Sequence, residues 1–192
     1  MIGYAMCGSF CTLRRSLVVM KKLKESGEEI QPIMSEIVYH TDTRFGRAEA
    51  FREEVTAICG REIIHTITAA ERLGPAEPLD ALVIAPCTGN TLAKLASGIT
   101  DTAVTMAAKA HLRSDRPLLI ALASNDAMSQ NLASIARLLT RRSVYLVPML
   151  QDDPRGKPHS LVAEMSLVPE CLGLLEHSEQ KRPLFLTPGG GE

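Results

Sequence analysis

Short apolar runs alternate along the chain with longer stretches of helical period. The runs at 2–6, 29–34, 62–67, 81–85, 118–123 and 144–148 carry little polar alternation, the pattern of strands covered on both faces. Apolar positions recurring every three to four residues predict helices over 13–26, 47–59, 91–97, 102–112 and 129–140, and a last one over 167–176. Gly27 and Gly60 stand where C-terminal caps belong. Strand–helix alternation of this kind predicts an α/β fold, a three-layer Rossmann-like doubly wound parallel sheet of about six strands. Pro32 cannot donate to a ladder, so either the pairing of the second strand is locally broken there or that strand lies near a sheet edge. The stretch 68–78, with LGP and a further proline, reads as a surface loop, and QDDPRGKPHS from Gln151 shows no period. No repeat or second core emerges, so residues 1–186 read as a single domain and 187–192 as a disordered tail.

Composition narrows the partners. The 192 residues are 45% apolar, enough for a sizeable core, and 21 basic against 22 acidic residues leave a formal charge of -1. Without that field, and with no Trp and only 4% aromatic residues, nucleic acid and anionic membranes are poor partners. Cys7, Cys11, Cys59, Cys87 and Cys171 form no CxxC and are not spaced with His as zinc ligands, so reduced thiols and no metal are expected. The apolar runs fall short of the roughly 20 residues of a membrane span, and the N-terminus lacks a basic leader, so a cytoplasmic location is expected.

In an open parallel sheet, ligands bind beyond the carboxyl ends of the strands. After the first strand comes GSFCT, in which Gly8 admits close backbone approach while Ser9 and Thr12 can cap the following helix. The turn suits a phosphate at a helix N-terminus and equally suits a plain strand-to-helix connection. A G-x-G-x-x-G turn is absent and no acidic residue ends the second strand, which argues against NAD as this chain's own cofactor.

After the fourth strand the run P-x-T-x-N-T-x-A-K-x-A-x-G-I-x-D is carried by Pro86, Thr88, Asn90, Thr91, Ala93, Lys94, Ala96, Gly98, Ile99 and Asp101. It resembles the signature of the flavin-containing cysteine decarboxylase superfamily, which includes the phosphopantothenoylcysteine decarboxylases. The resemblance implies a flavoprotein-type fold and FMN, held near Gly8, Ser9, Thr12, Pro86, Thr88, Gly89, Asn90 and Thr91, with Ser35 as a hydroxyl contact to the flavin. A second family motif, P-A-M-N-x-x-M, is met by LASNDAM, where Ala123, Asn125 and Met128 match while Leu122 and Ser124 depart. Ser124 and Asn125 fall at the flavin by this resemblance. The lost proline and methionine belong to the segment that acts on substrate in the decarboxylases, so the fold carries over better than that reaction.

TRFG at 43–46, LGP at 73–75, PLDALVIAPCTGN from Pro78, SNDA from Ser124, QDDP from Gln151 and KPHSLVA from Lys157 are shared more narrowly. In these the chain resembles the B-subunit family of the dipicolinate synthases. That implies oxidation of dihydrodipicolinate to dipicolinate during sporulation, in the mother cell of a spore-forming bacterium, together with a nicotinamide-binding subunit that holds NAD(P). It also implies a homo-oligomer, a trimer or larger. Arg44 of TRFG, with Asn125 and Met128, is then a candidate for the dicarboxylate, and Arg113 and Lys157 are further cations able to pair with it. An FMN-dependent decarboxylase of a cysteine-derived acid and a non-catalytic ligand-binding subunit stand as alternatives.

The remaining residues divide between ligand and structural roles. Asn90 suits a ligand or its own helix cap, Lys94 reads as a surface residue, and Asp101 as the cap of the helix at 102. Cys11 and Cys87 read as small apolar fillers. His40 and His65 invite a general-base reading, but their spacing does not match the decarboxylase histidine, and no catalytic residue is singled out.

Overall fold

Three strands have almost no polar face. Every residue of β1 (Ile2–Met6) is buried, as are all but the last of β3 (Leu82–Thr88) and β4 (Leu118–Ser124). Such strands must be covered on both sides. Because successive side chains point to opposite faces, Ala5, Leu82 and Ile84 join one core while Tyr4, Met6, Val83 and Ala85 join the other. The first core is closed by α4 (Ile67–Glu71), α5 (Gly89–Ser97), α6 (Ala103–Leu112) and α7 (Leu132–Leu139). The second is closed by α1 (Phe10–Glu25), α3 (Ala48–Cys59) and α8 (Val168–Leu175). The computed structural model describes residues 1–74 and 76–187. Pro75 of the LGP motif and residues 188–192 of the expected tail lie outside the described residues.

The sheet runs β2-β1-β3-β4 in parallel, with β2 (Ile30–Met34) at the edge, one of the two placements Pro32 allows. Beyond it lie only an Ile33–Ile64 bridge and its flanking bonds from Ile64 N to Pro32 O and from Met34 N to Ile64 O. At the other side β4 changes neighbour along its length. Leu118, Leu119 and Ile120 pair in parallel with β5 (Val144–Leu146), whereas Ala123 and Ser124 pair with β7 (Leu161–Ala163), which runs antiparallel. β6 (Met149–Leu150) pairs antiparallel with β7. The doubly wound α/β architecture is as expected, but the sheet is mixed and has seven strands among the described residues.

Two local expectations are corrected, and three short elements appear that the pattern does not predict. Residues 62–67 make only the Ile64 bridge, because one pair of bonds on the edge of β2 is all the chain supplies before α4 begins at Ile67. The stretch read as a surface loop from 68 holds that helix, capped by Thr66 accepting from Ala69 N at 3.3 Å. A one-turn helix, α2 (Glu36–His40), is too short to show a period. β6 and β7, of two and three residues, are likewise below the length at which alternation is visible.

Candidate functional site

Strand β1 delivers Cys7 and Gly8 to the start of α1, and β3 runs directly into α5. At the second junction Thr88 is the N-cap, its hydroxyl accepting from Thr91 N at 3.3 Å. The Thr91 hydroxyl turns inward and donates to the Cys7 sulfur at 3.3 Å, tying the two strand ends together beneath the surface. At the first junction Ser9 occupies the N-cap without a side-chain cap bond, and Thr12 donates back to its carbonyl at 2.8 Å. The expected capping by the Ser9 hydroxyl is therefore absent, leaving the first turn of α1 with no acidic residue and no side-chain acceptor in its place.

Above these ends lies a cleft of about 740 Å³. Gly8, Ser9, Thr12, Thr88, Gly89, Asn90, Ser124 and Asn125 line it, together with Arg44. Pro86, Thr91, Ser35 and Met128 do not line it. Pro86 is buried at the register irregularity between Ile84 and Cys87, Thr91 points to Cys7, and Met128 packs on the core while its amide holds His159 O at 3.0 Å. Ser35 lies behind the cleft at the end of β2, its amide bonded to Met6 O at 3.0 Å and its buried hydroxyl without a partner among the described residues.

The opposite wall is the β6–β7 hairpin. Its connecting loop is held by two aspartates. Asp152 accepts from Ser160 Oγ at 2.9 Å and from Lys157 Nζ at 3.1 Å, and Asp153 accepts from Gly156 N at 2.9 Å. Gln151 adds a bond to Pro158 O at 2.9 Å. The loop carries Asp152 and Lys157 to the cleft, and Arg113 stays away from it. Burial pushes the Asp152 carboxyl up, but Lys157 and Ser160 outweigh it and hold it below the usual carboxylate range.

Charge in the cleft is unevenly satisfied. Asp126 receives the Ser124 hydroxyl and, at 3.0 Å, the Asn131 amide, and the Ser124 bond foremost holds its carboxyl low. Glu164 accepts from Ser166 N and Oγ at 3.1 and 2.7 Å. Each carboxylate thus has internal donors, whereas Arg15 and Arg44 form no ion pair among the described residues. Arg44 is braced over the Phe45 ring at 4.9 Å. The cleft thus sets carboxylates that have internal donors beside guanidinium groups that have no ion pair, a pattern able to pair with an anion.

Some residues differ from their sequence reading. Cys11 is exposed in the cleft rather than an apolar filler, because the first turn of α1 directs it outward; Cys87 is buried as expected. Burial pushes the Cys7 thiol up to about 11 and Cys87 upward as well, so neither is a thiolate at neutral pH. Asp101 does not cap α6; Thr102 and Thr105 form a reciprocal capping box, and Asp101 pairs with Lys94 at 2.8 Å. His65 stacks on Tyr39 with centroids 3.7 Å apart, outside the cleft. Arg15, Asp126, Asp152 and Glu164 were missed as site residues. Asp126 and Asp152 had a signal, inside SNDA and QDDP, but nothing in the sequence brought residues 151–164 over the strand ends.

Comparison with known proteins agrees with this geometry. The Flavoprotein family matches residues 1–166. The B subunit of dipicolinate synthase from Bacillus subtilis (strain 168) is 38% identical over 185 residues, covering 96% of this chain and 92% of that one. The crystal structure of the dipicolinate synthase B subunit from Bacillus halodurans C superposes with a TM-score of 0.89 at 36% identity, covering 97% of this chain and 95% of the other. The FMN-dependent cysteine decarboxylase SpaF shares the fold alone, with a TM-score of 0.65 at 22% identity over 92% of this chain and 95% of its own. The chain thus belongs to the Flavoprotein family and, within it, to the group of dipicolinate synthase B subunits.

Proposed function

We propose that this chain is the flavoprotein-type subunit of a dipicolinate synthase, working with a nicotinamide-binding subunit to oxidise dihydrodipicolinate to dipicolinate in the cytoplasm of a spore-forming cell. The observation that carries the reading is the pair of guanidinium groups, Arg15 and Arg44, left without an ion pair among the described residues in a cleft whose carboxylates are already bonded. A planar dicarboxylate matches two such groups, each able to bind a carboxylate through two parallel N–H bonds. Asn125, exposed on the same cleft, adds a neutral donor and acceptor. Lys157, tied to Asp152, steadies the loop and contributes positive potential.

The residues also fit FMN. Gly8 exposes backbone at the start of a 16-residue helix with no acid in its first turn, which suits a phosphate held by Gly8, Ser9 and Thr12. The buried Ser35 hydroxyl lacks a partner, and a buried polar atom of this kind calls for one. Thr88, Gly89, Asn90 and Ser124 line the part of the cleft where the ring system would lie. Bound flavin would supply two-electron redox chemistry, the oxidised nicotinamide of the partner subunit being the final hydride acceptor. The chain itself orients the substrate and narrows the access of water. As in related flavoproteins, we expect a homo-oligomer.

Titrating the purified chain with FMN while recording its visible spectrum, and with dipicolinate in a calorimeter, tests both halves. Arg44→Ala is expected to weaken dipicolinate binding at least roughly tenfold, the scale of a lost bidentate pair. Reconstitution with the nicotinamide-binding subunit should raise turnover above that of the partner alone. Full turnover by the partner alone assigns this chain a supporting role, and carbon dioxide release from a cysteine-derived acid without dicarboxylate binding overturns the reading in favour of a decarboxylase.

A further inference from the structure

Three carboxylates reach the cleft, and they are held differently. In Asp152 both oxygens are taken, Oδ1 by Ser160 and Oδ2 by Lys157. Glu164 likewise receives both of its donors, Ser166 N and Oγ, on Oε1, but they come from its own 3₁₀ turn Met165–Leu167 and not from two separate elements. Asp126 receives both of its side-chain donors on a single oxygen, Oδ1, from Ser124 at the end of β4 and Asn131 at the N-terminus of α7. Its Oδ2 has no donor among the described residues, and no cation there pairs with it.

The surroundings are built around that carboxylate. Asn131 is 6% exposed, and its amide is turned so that Nδ2 meets Asp126 while its own Oδ1 lies buried without a partner among the described residues. A buried acceptor left unmatched is uncommon, and here it accompanies the orientation of Asp126. Gly89 closes the cluster from the other side. A Cβ there would stand 2.6 Å from Asn131 Nδ2 and 2.8 Å from Asp126 Oδ1, so the Thr88–Asn90 turn packs its bare backbone against the held oxygen.

We propose that Asp126 is the catalytic proton acceptor of this cleft, its free oxygen taking the proton lost as a bound cyclic dihydro-dicarboxylate becomes aromatic; this rests on the function proposed above. One ring C–H bond breaks with its electron pair leaving as hydride to the oxidised nicotinamide held by the partner subunit. A second ring C–H bond breaks with its proton passing to Asp126 Oδ2, and that electron pair stays in the ring to complete the aromatic sextet. The substrate loses two electrons and two hydrogens; the nicotinamide gains two electrons and one hydrogen; the carboxylate carries the other proton to water. Hydride loss leaves a strongly acidic cation, so a weak base already in its ionised form is adequate.

The test uses the reconstituted two-subunit enzyme. Asp126→Asn is expected to lower kcat about 10²- to 10³-fold, with dipicolinate binding to this chain changed by no more than roughly threefold. Asp126→Glu should recover part of the loss. The other charged groups on the cleft are Arg15, Arg44, Asp152, Lys157 and Glu164. Ser124→Ala removes the main donor to Asp126, so the acid limb of kcat/KM should move to higher pH; this variant decides the matter if Asp126→Asn fails to fold. Turnover of Asp126→Asn within roughly threefold of the parent, an acid limb unmoved in Ser124→Ala, or a loss carried by Glu164→Gln instead overturns the assignment. Failure of the parent chain to bind dipicolinate or to raise the partner's turnover would instead remove the proposed function, which separates the two outcomes.

Discussion

The two walls of the cleft are made by different means. One consists of the ends of β1, β3 and β4, where position is set by strands buried on both faces and by side chains that bond across the junctions, as Thr91 does to Cys7. The other is the β6–β7 hairpin, whose strands are two and three residues long and whose loop keeps its shape through Asp152 and Asp153. The first wall inherits its rigidity from the core, the second from a few charged hydrogen bonds near water. The cleft is therefore bounded by a surface anchored in the core and by one held through a few side-chain bonds.

The most direct challenge to this division is to place the same steric insult on both walls. Gly89→Ala puts a Cβ against the Ser124 hydroxyl and within 2.8 Å of two further held atoms, none of them free to withdraw. A loss of about 1–3 kcal/mol is expected in denaturant unfolding, together with loss of FMN and dipicolinate binding. Asp152→Ala comes next: it leaves the Ser160 hydroxyl, fully buried, without its acceptor and frees Lys157. About 1–2 kcal/mol should be lost, with faster amide exchange confined to 149–163. Equal exchange on both walls would show that they are one cooperative unit.

Acid should act on both walls. Asp126 and Asp152 both have folded pKa values depressed below their unfolded ones, so their stabilisation is complete at neutral pH and is lost as pH falls through the folded values, below about 4. Melting temperature followed from pH 7 to 3 should be level and then decline, and Asp152→Ala should decline less steeply. The smallest effect is expected at Gly156→Ala. Its Cβ also meets an aspartate, but Asp153 is exposed and its end can swing away, so the change should stay within about 0.5 kcal/mol. A loss as large as that of Gly89→Ala would show that the loop is as unyielding as the strand ends.

Legibility followed the same division. Runs such as LLIALA and the caps at Gly27 and Gly60 made the parallel strands and main helices readable, because length and burial on both faces leave a strong pattern. The GSFCT and TGN turns followed from them, since residues after such strands must border the ligand space. The hairpin was not readable. QDDPRGKPHS shows its prolines but not the pairings of Asp152 with Ser160 or Met128 with His159, which exist only once the chain has folded back. Met128 shows the converse: a motif match put it with the substrate, whereas its side chain went to the core. Arg15 was hidden for another reason, being one of several basic residues on α1, where position around the helix and not residue type decides which meets the cleft.

The divided pairing of β4 has an evolutionary consequence. Its parallel partner ends at Leu146, and the hairpin is joined to it only through Ala123 and Ser124. A graft that replaces 149–163 need respect the two residue pairs with β4, the Met149–Phe185 bridge and the Met128–His159 bond, while the register of the parallel strands is untouched. Such an attachment makes the hairpin an exchangeable cassette, through which one wall of the cleft can be rebuilt while the turns at the ends of β1 and β3 stay as they are.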